Sequence, residues 1–166
     1  MVRPAMAEGA APVIEHPNRE KASSKATKAV VVLLLLASAG LLFIVTIGGW
    51  NALQGAKVVA LAYGVVFLVL AYYVARWSRG ALPVSAALAI IMLIFAAVSG
   101  PGWFDRDKTG FTNPAIPSGA LGLITLLLIP VEALLIAFAM RGFSQAWNVE
   151  VERYPAPPSN HAPAGA

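Results

Sequence analysis

Cysteine is absent from the chain. That absence removes disulfides, thiolate catalysis, iron–sulfur ligation and zinc-finger spacing together. Histidine is nearly absent: His16 and His161 are the only two, and both lie outside the apolar runs. A haem held by paired helix histidines and a His-rich metal site within a membrane are excluded by that count, so neither a metal nor any other cofactor is expected. Charge is scarce as well. Only 12% of residues are Asp, Glu, Lys or Arg, about half the fraction usual in soluble domains. No phosphate-binding glycine loop, metal-binding helix motif or Ser–His–Asp set can be assembled. The chain is therefore expected not to be an enzyme. Intramembrane catalysis would need a second catalytic group beside its one embedded carboxyl.

What the chain has in quantity is apolar sequence, 58% of its 166 residues. It is gathered into four blocks, about 29–50, 58–75, 82–99 and 118–140. Each meets the roughly 17–25 residues that a spanning helix requires. The expected fold is an all-α integral membrane protein, four transmembrane helices in a small bundle with disordered ends. Residues 1–28 read as a disordered basic tail, 29–141 as the transmembrane domain, and 142–166 as an interfacial segment followed by a disordered tail. Within 142–166, the alternation of Val and Glu from Val149 to Glu152 suits a short strand against a partner or an interfacial segment. Ala37-Ser38-Ala39 resembles a signal-peptide cleavage site, but the apolar run continues past it, which favours an uncleaved span.

Orientation follows from the basic residues. With the N-terminus inside, Arg3, Arg19, Lys21, Lys25, Lys28, Arg76, Arg79, Arg141 and Arg153 fall on the inner side. Lys57, Arg106 and Lys108 fall on the outer side. Nine against three predicts cytoplasmic termini in a bacterial cytoplasmic membrane. The net charge of +4 is thus a topology signal, and no nucleic-acid partner is expected. The partners expected are the lipid bilayer and either a second membrane protein or further copies of the chain.

Small residues at helical spacing mark packing faces. They are Ala60, Gly64, Ala71 and Ala75 in the second run, and Ser85, Ala89, Ala96 and Gly100 in the third. In the fourth they are Ser118, Gly122, Thr125, Glu132 and Ala139. Glu132 is the only charge in its run and lies on the small, polar side. A charge at a helix centre costs about 2.5–3.5 kcal/mol, and each apolar Leu, Ile, Val or Phe returns about 0.3–0.6. The run holds twelve of these, so it still inserts. Insertion permits Glu132 without explaining it, and an ionisable residue at this depth is a functional hypothesis.

Pro130, two residues earlier, supplies no N–H to the Leu126 carbonyl and is a candidate hinge. Glu132 lies about 12 Å from the inner end of the run. That depth puts Ser38 near its layer. Tyr72 and Tyr73 lie lower, within about 5 Å of the inner end of the second run. Arg76 can reach up from the interface along its aliphatic stem. These four are its candidate partners. Two function readings follow: a non-catalytic accessory or assembly subunit of a membrane complex, or a small homo-oligomeric transporter or channel with Glu132 as its proton or cation site.

The joint between the third and fourth runs carries two weaker patterns. Asp105, Asp107 and Thr109 before Gly110 are spaced like the start of a calcium loop. Ile116 stands where that loop closes with Glu, and Arg106 and Lys108 cancel both acids. Asp107-Lys108-Thr109-Gly110 is similar to the phosphorylation tetrapeptide of P-type ATPases. Phe111-Thr112-Asn113 follows in place of that family's Thr-hydrophobic-Thr, and the match is taken as chance.

Overall fold

The structure is a computed structural model that describes residues 13–106 and 113–154. The tetrapeptide Asp107–Gly110 and the Pro-rich stretch from Pro155 lie outside them. Among the described residues, four helices are long and apolar enough to cross a membrane: α2 (Ala22–Gly48), α3 (Ala56–Ala75), α4 (Ala81–Gly102) and α5 (Ser118–Ser144). A short strand β1 (Val13–Glu15) and a single turn α1 (Pro17–Glu20) precede them, and β2 (Val151–Arg153) follows. The chain is a multi-helix integral membrane protein by length and composition. Helices are the form such runs must take, because a backbone in hydrocarbon has to satisfy its own polar groups.

Joints at alternate ends define a terminal end, where α2 starts, α5 stops and the β-strands sit, and a loop end opposite. α5 packs on α4 and on α2, and α2 packs on α3. α3 and α4 scarcely touch, although only five residues join them. The seams follow the small-residue stripes. Ser85, Ala89, Ala96 and Gly100 of α4 are all buried, as are Ser118, Gly122, Thr125, Glu132 and Ala139 of α5. In α3 the stripe holds in part: Gly64 and Ala71 are buried among Phe67, Leu70 and Val74. Gly64 marks a close approach of α3 to α2, since a methyl group there would stand 2.7 Å from the Phe43 ring.

Three boundaries differ from the sequence reading, and each has a physical reason. First, the segment read as a disordered tail is ordered from Val13 on, and α2 begins at Ala22 rather than near residue 29. A helix need not stop at the membrane surface. The polar first turns of α2 bury Ser24 and Thr27, where Gln145 beyond the end of α5 donates to Thr27 Oγ1 at 3.1 Å. Second, α4 continues through Gly100-Pro101-Gly102. Gly100 is buried there against Leu126 of α5, so packing holds the last turn helical. Third, the Val–Glu alternation near the C-terminus does form a strand, and its partner is the chain's own N-terminal segment. β1 and β2 pair antiparallel with Ile14 opposite Glu152, and Arg153 Nε lies 3.4 Å from Glu15 Oε2.

The terminal end is held by polar contacts onto backbone. Arg19 Nε donates to the Trp147 carbonyl at 2.9 Å and Asn18 to that of Ala146 at 3.0 Å. Arg79, in the α3–α4 turn, donates to the Phe143 carbonyl and to Asn148 Oδ1. Trp147 is fully buried. It meets Trp77 edge to face at 5.1 Å, while the Lys28 ammonium stands 4.1 Å from the Trp77 ring. Trp77 takes φ 64° and Ala146 φ 49°, a left-handed backbone that costs roughly 1–2 kcal/mol outside glycine. Packing of the two indoles fixes both reversals.

This arrangement sets a direct test. The chain has no native cysteine, so Gly102→Cys at the loop end and Glu150→Cys at the terminal end give single labelling sites. Both positions are exposed. A membrane-impermeant maleimide is expected to reach them from opposite sides of the membrane. Labelling of both from one side contradicts the four-span bundle.

Candidate functional site

Glu132 sits on α5 in the seam shared by α2 and α4, and its side chain is fully enclosed. Enclosure follows from the stripe on which it lies. Thr125, Leu128, Leu135 and Ala139, one and two turns to either side, are buried with it. The face carrying Leu123, Leu127 and Leu134 is left to lipid. Neither carboxyl oxygen has a hydrogen-bond partner among the described residues. Ser38 of α2, also fully buried, is the hydroxyl that interacts with the carboxyl, at a geometry short of a full hydrogen bond. Two buried polar groups are thus brought together across the α2–α5 seam without satisfying one another. Thr46 and Thr125 differ: each hydroxyl donates to the carbonyl four residues back in its own helix.

The third member of the constellation is Tyr63 of α3, half-buried and within electrostatic reach of Glu132. Among the tyrosines of this helix the sequence offers Tyr72 and Tyr73 as candidates, at a level below the carboxyl. These two are 58% and 51% exposed, and their rings stack edge to face on the outer side of α3 at 5.6 Å. Arg76 is also exposed and lies over the Tyr72 ring at 5.9 Å. Of the four expected partners only Ser38 reaches the carboxyl. The signal for Tyr63 lay in helix length. Glu132 and Tyr63 each stand twelve residues, about 18 Å, from the terminal-end residue of their helices, Ser144 and Ala75. Ending the fourth run one turn early, at Met140, puts that layer at about Phe67 of α3, one turn short of Tyr63.

Pro130 is exposed on the lipid side of α5, and the helix runs through it without a break. Its ring removes the donor to the Leu126 carbonyl, on the stretch of α5 that lies against Gly100 of α4. Among the described residues no three His, Cys, Asp or Glu side chains converge. What the arrangement can do chemically is narrow. One carboxyl, enclosed beside a buried serine hydroxyl, can exchange a proton or accept a cation.

A buried polar group without a partner costs about 1–3 kcal/mol. Glu132→Met keeps the volume and removes that cost, so it is expected to raise the stability of the detergent-solubilised bundle by about 1–3 kcal/mol. Thermal or denaturant unfolding followed by circular dichroism measures it. A loss of stability instead would show that the carboxyl is bonded and holds the seam. No family model, curated protein or solved structure matches the chain, so the roles of these residues rest on the geometry alone.

Proposed function

We propose that this protein is a non-catalytic accessory or assembly subunit of a membrane complex. Its place is the bacterial cytoplasmic membrane, with both termini cytoplasmic. The observation that carries the reading is the β1–β2 ribbon at the terminal end. A two-stranded ribbon is marginal by itself, yet this one is tied to the bundle through Arg19, Asn18 and Trp147. It presents Val13, Ile14, Val149, Val151 and Tyr154 with 40–56% of each side chain exposed. Apolar side chains on an ordered segment outside the spans mark an interaction surface. Among the described residues neither outer strand edge is paired, which adds backbone donors and acceptors. The basic residues around this end favour the cytoplasmic side.

A second reading is favoured by the unpartnered Glu132 carboxyl. In it the protein is a small homo-oligomeric transporter or channel, with Glu132 as the proton or cation site and Pro130 as the hinge. Intramembrane carboxyls of this kind mark ion paths.

Mild-detergent purification from native membranes distinguishes the two. As a subunit, the protein brings down a membrane-protein partner in near-stoichiometric amount. The double variant Ile14→Glu, Val151→Glu loses it while keeping the helical signal of the bundle. As a carrier, it purifies as an oligomer of itself. In proteoliposomes its Glu132→Gln variant then loses pH-driven or cation-driven flux by at least about tenfold, roughly 1.4 kcal/mol at the site. Full flux in that variant removes the carrier reading. Partner capture unaffected by the double variant removes the ribbon as the docking surface.

A further inference from the structure

The α3–α4 hairpin is closed at the terminal end and open at the loop end. Between its arms lies a crevice of about 570 Å³, backed by α2 and α5. Its walls include Ala60 and Tyr63 on α3, Phe95 and Ser99 on α4, and Leu128 on α5, with Arg106 at the mouth. The volume is that of a ligand pocket, and the lining is almost wholly apolar.

Depth decides what fits. Along α3 the lining runs from Ala56 to Tyr63, and along α4 from Gly102 back to Met92. At about 1.5 Å per residue these are about 10 and 15 Å. That is one leaflet of a hydrocarbon core about 30 Å thick. The crevice therefore ends at mid-membrane. A spanning helix of a partner would need a groove through both leaflets, and the closed turn Arg76–Gly80 blocks the second. An acyl chain entering from the headgroup layer needs only one.

Charge at the mouth supplies the rest. Arg106 lies over the Trp103 ring at 4.6 Å and donates to the Ala52 carbonyl at 3.0 Å, which fixes the guanidinium at the crevice edge. Lys57, on the first turn of α3, stands 4.8 Å from the Trp50 ring at the same end. Asp105, next to Arg106, is the one acid beside these two cations among the described residues of this end. An apolar slot one leaflet deep under a fixed guanidinium matches a phospholipid, chain inward and phosphate at the cation.

We infer that the α3–α4 crevice is a binding site for one anionic phospholipid, its acyl chain between the helices and its headgroup phosphate at Arg106. The site lies at the loop end, away from the terminal ribbon, so it stands whichever reading of the whole protein holds.

Native mass spectrometry of the intact protein, released from nanodiscs of equal phosphatidylglycerol and phosphatidylcholine, tests this. The wild-type chain is expected to retain one phospholipid, with phosphatidylglycerol favoured about fivefold, the effect of one basic residue near an anionic surface. Arg106→Gln is expected to keep a lipid and lose the preference. Ala60→Phe fills the slot from α3 and is expected to lose the lipid. Ser99→Phe does so from α4, should the first variant fail to fold. Three results would overturn the assignment: undiminished lipid in the filled variants, an unchanged preference in Arg106→Gln, or a lipid-free dimer of the wild-type chain.

Discussion

Hydrocarbon gives apolar helices no reason to meet, because a leucine is as well solvated by a lipid tail as by another leucine. Association has to come from close packing, and close packing needs small residues. This constraint orders the bundle. Where a helix carries a stripe of Ser, Ala, Gly and Thr, as α4 and α5 do, the helices join along it and bury it. Where the small residues of two sequence neighbours face other helices, as Gly64 of α3 faces α2 and Gly100 of α4 faces α5, a short connection does not bring them together. Val59, Phe95 and the larger residues around them keep the arms apart, and the crevice is the space left over.

The same constraint places Glu132. A carboxyl facing lipid would be costly, and the small face of α5 is the side that can be covered. Ala89 and Ala96 of α4 and Ala39 of α2 are buried in the same core and leave room without offering a partner. Ser38 supplies a hydroxyl to that space and Tyr63 stands near it. The packing that makes insertion of the fourth helix tolerable also isolates its charge-bearing group from water. The crevice wall of Tyr63 and Leu128 lies on one side of that enclosed group.

Much of this architecture was legible in the sequence because hydrocarbon thickness and backbone polarity act on every residue of a span. The four runs, their order, the stripes on α4 and α5 and the enclosed position of Glu132 follow from composition and spacing. What was not legible depended on contacts outside the hydrocarbon. The first turns of α2 have no apolar period, and only the Gln145 contact and the terminal packing show why they are helical. The strand pairing of Val13–Glu15 with Val151–Arg153 joins segments far apart in sequence, neither of which forms a strand alone. Tyr63 was missed in part through one helix end. A fourth run closed at Met140 puts the Glu132 layer at Phe67, one turn or about 5.4 Å from Tyr63, while Tyr72 and Tyr73 lie nearer the helix end than either.

The two ends of the bundle therefore do different work on the seams between them. At the terminal end, tryptophans, arginines and paired strands fix α2, α3 and α5 to one another through contacts that persist in water. At the loop end, α2, α4 and α5 are joined by a smaller cluster of Val45, Ala52, Trp103 and Leu121, and α3 stands off from α4. Each arm of the open hairpin is held by a different neighbour, α3 by α2 and α4 by α5, and Tyr63 lies on the crevice wall on the side toward the enclosed carboxyl.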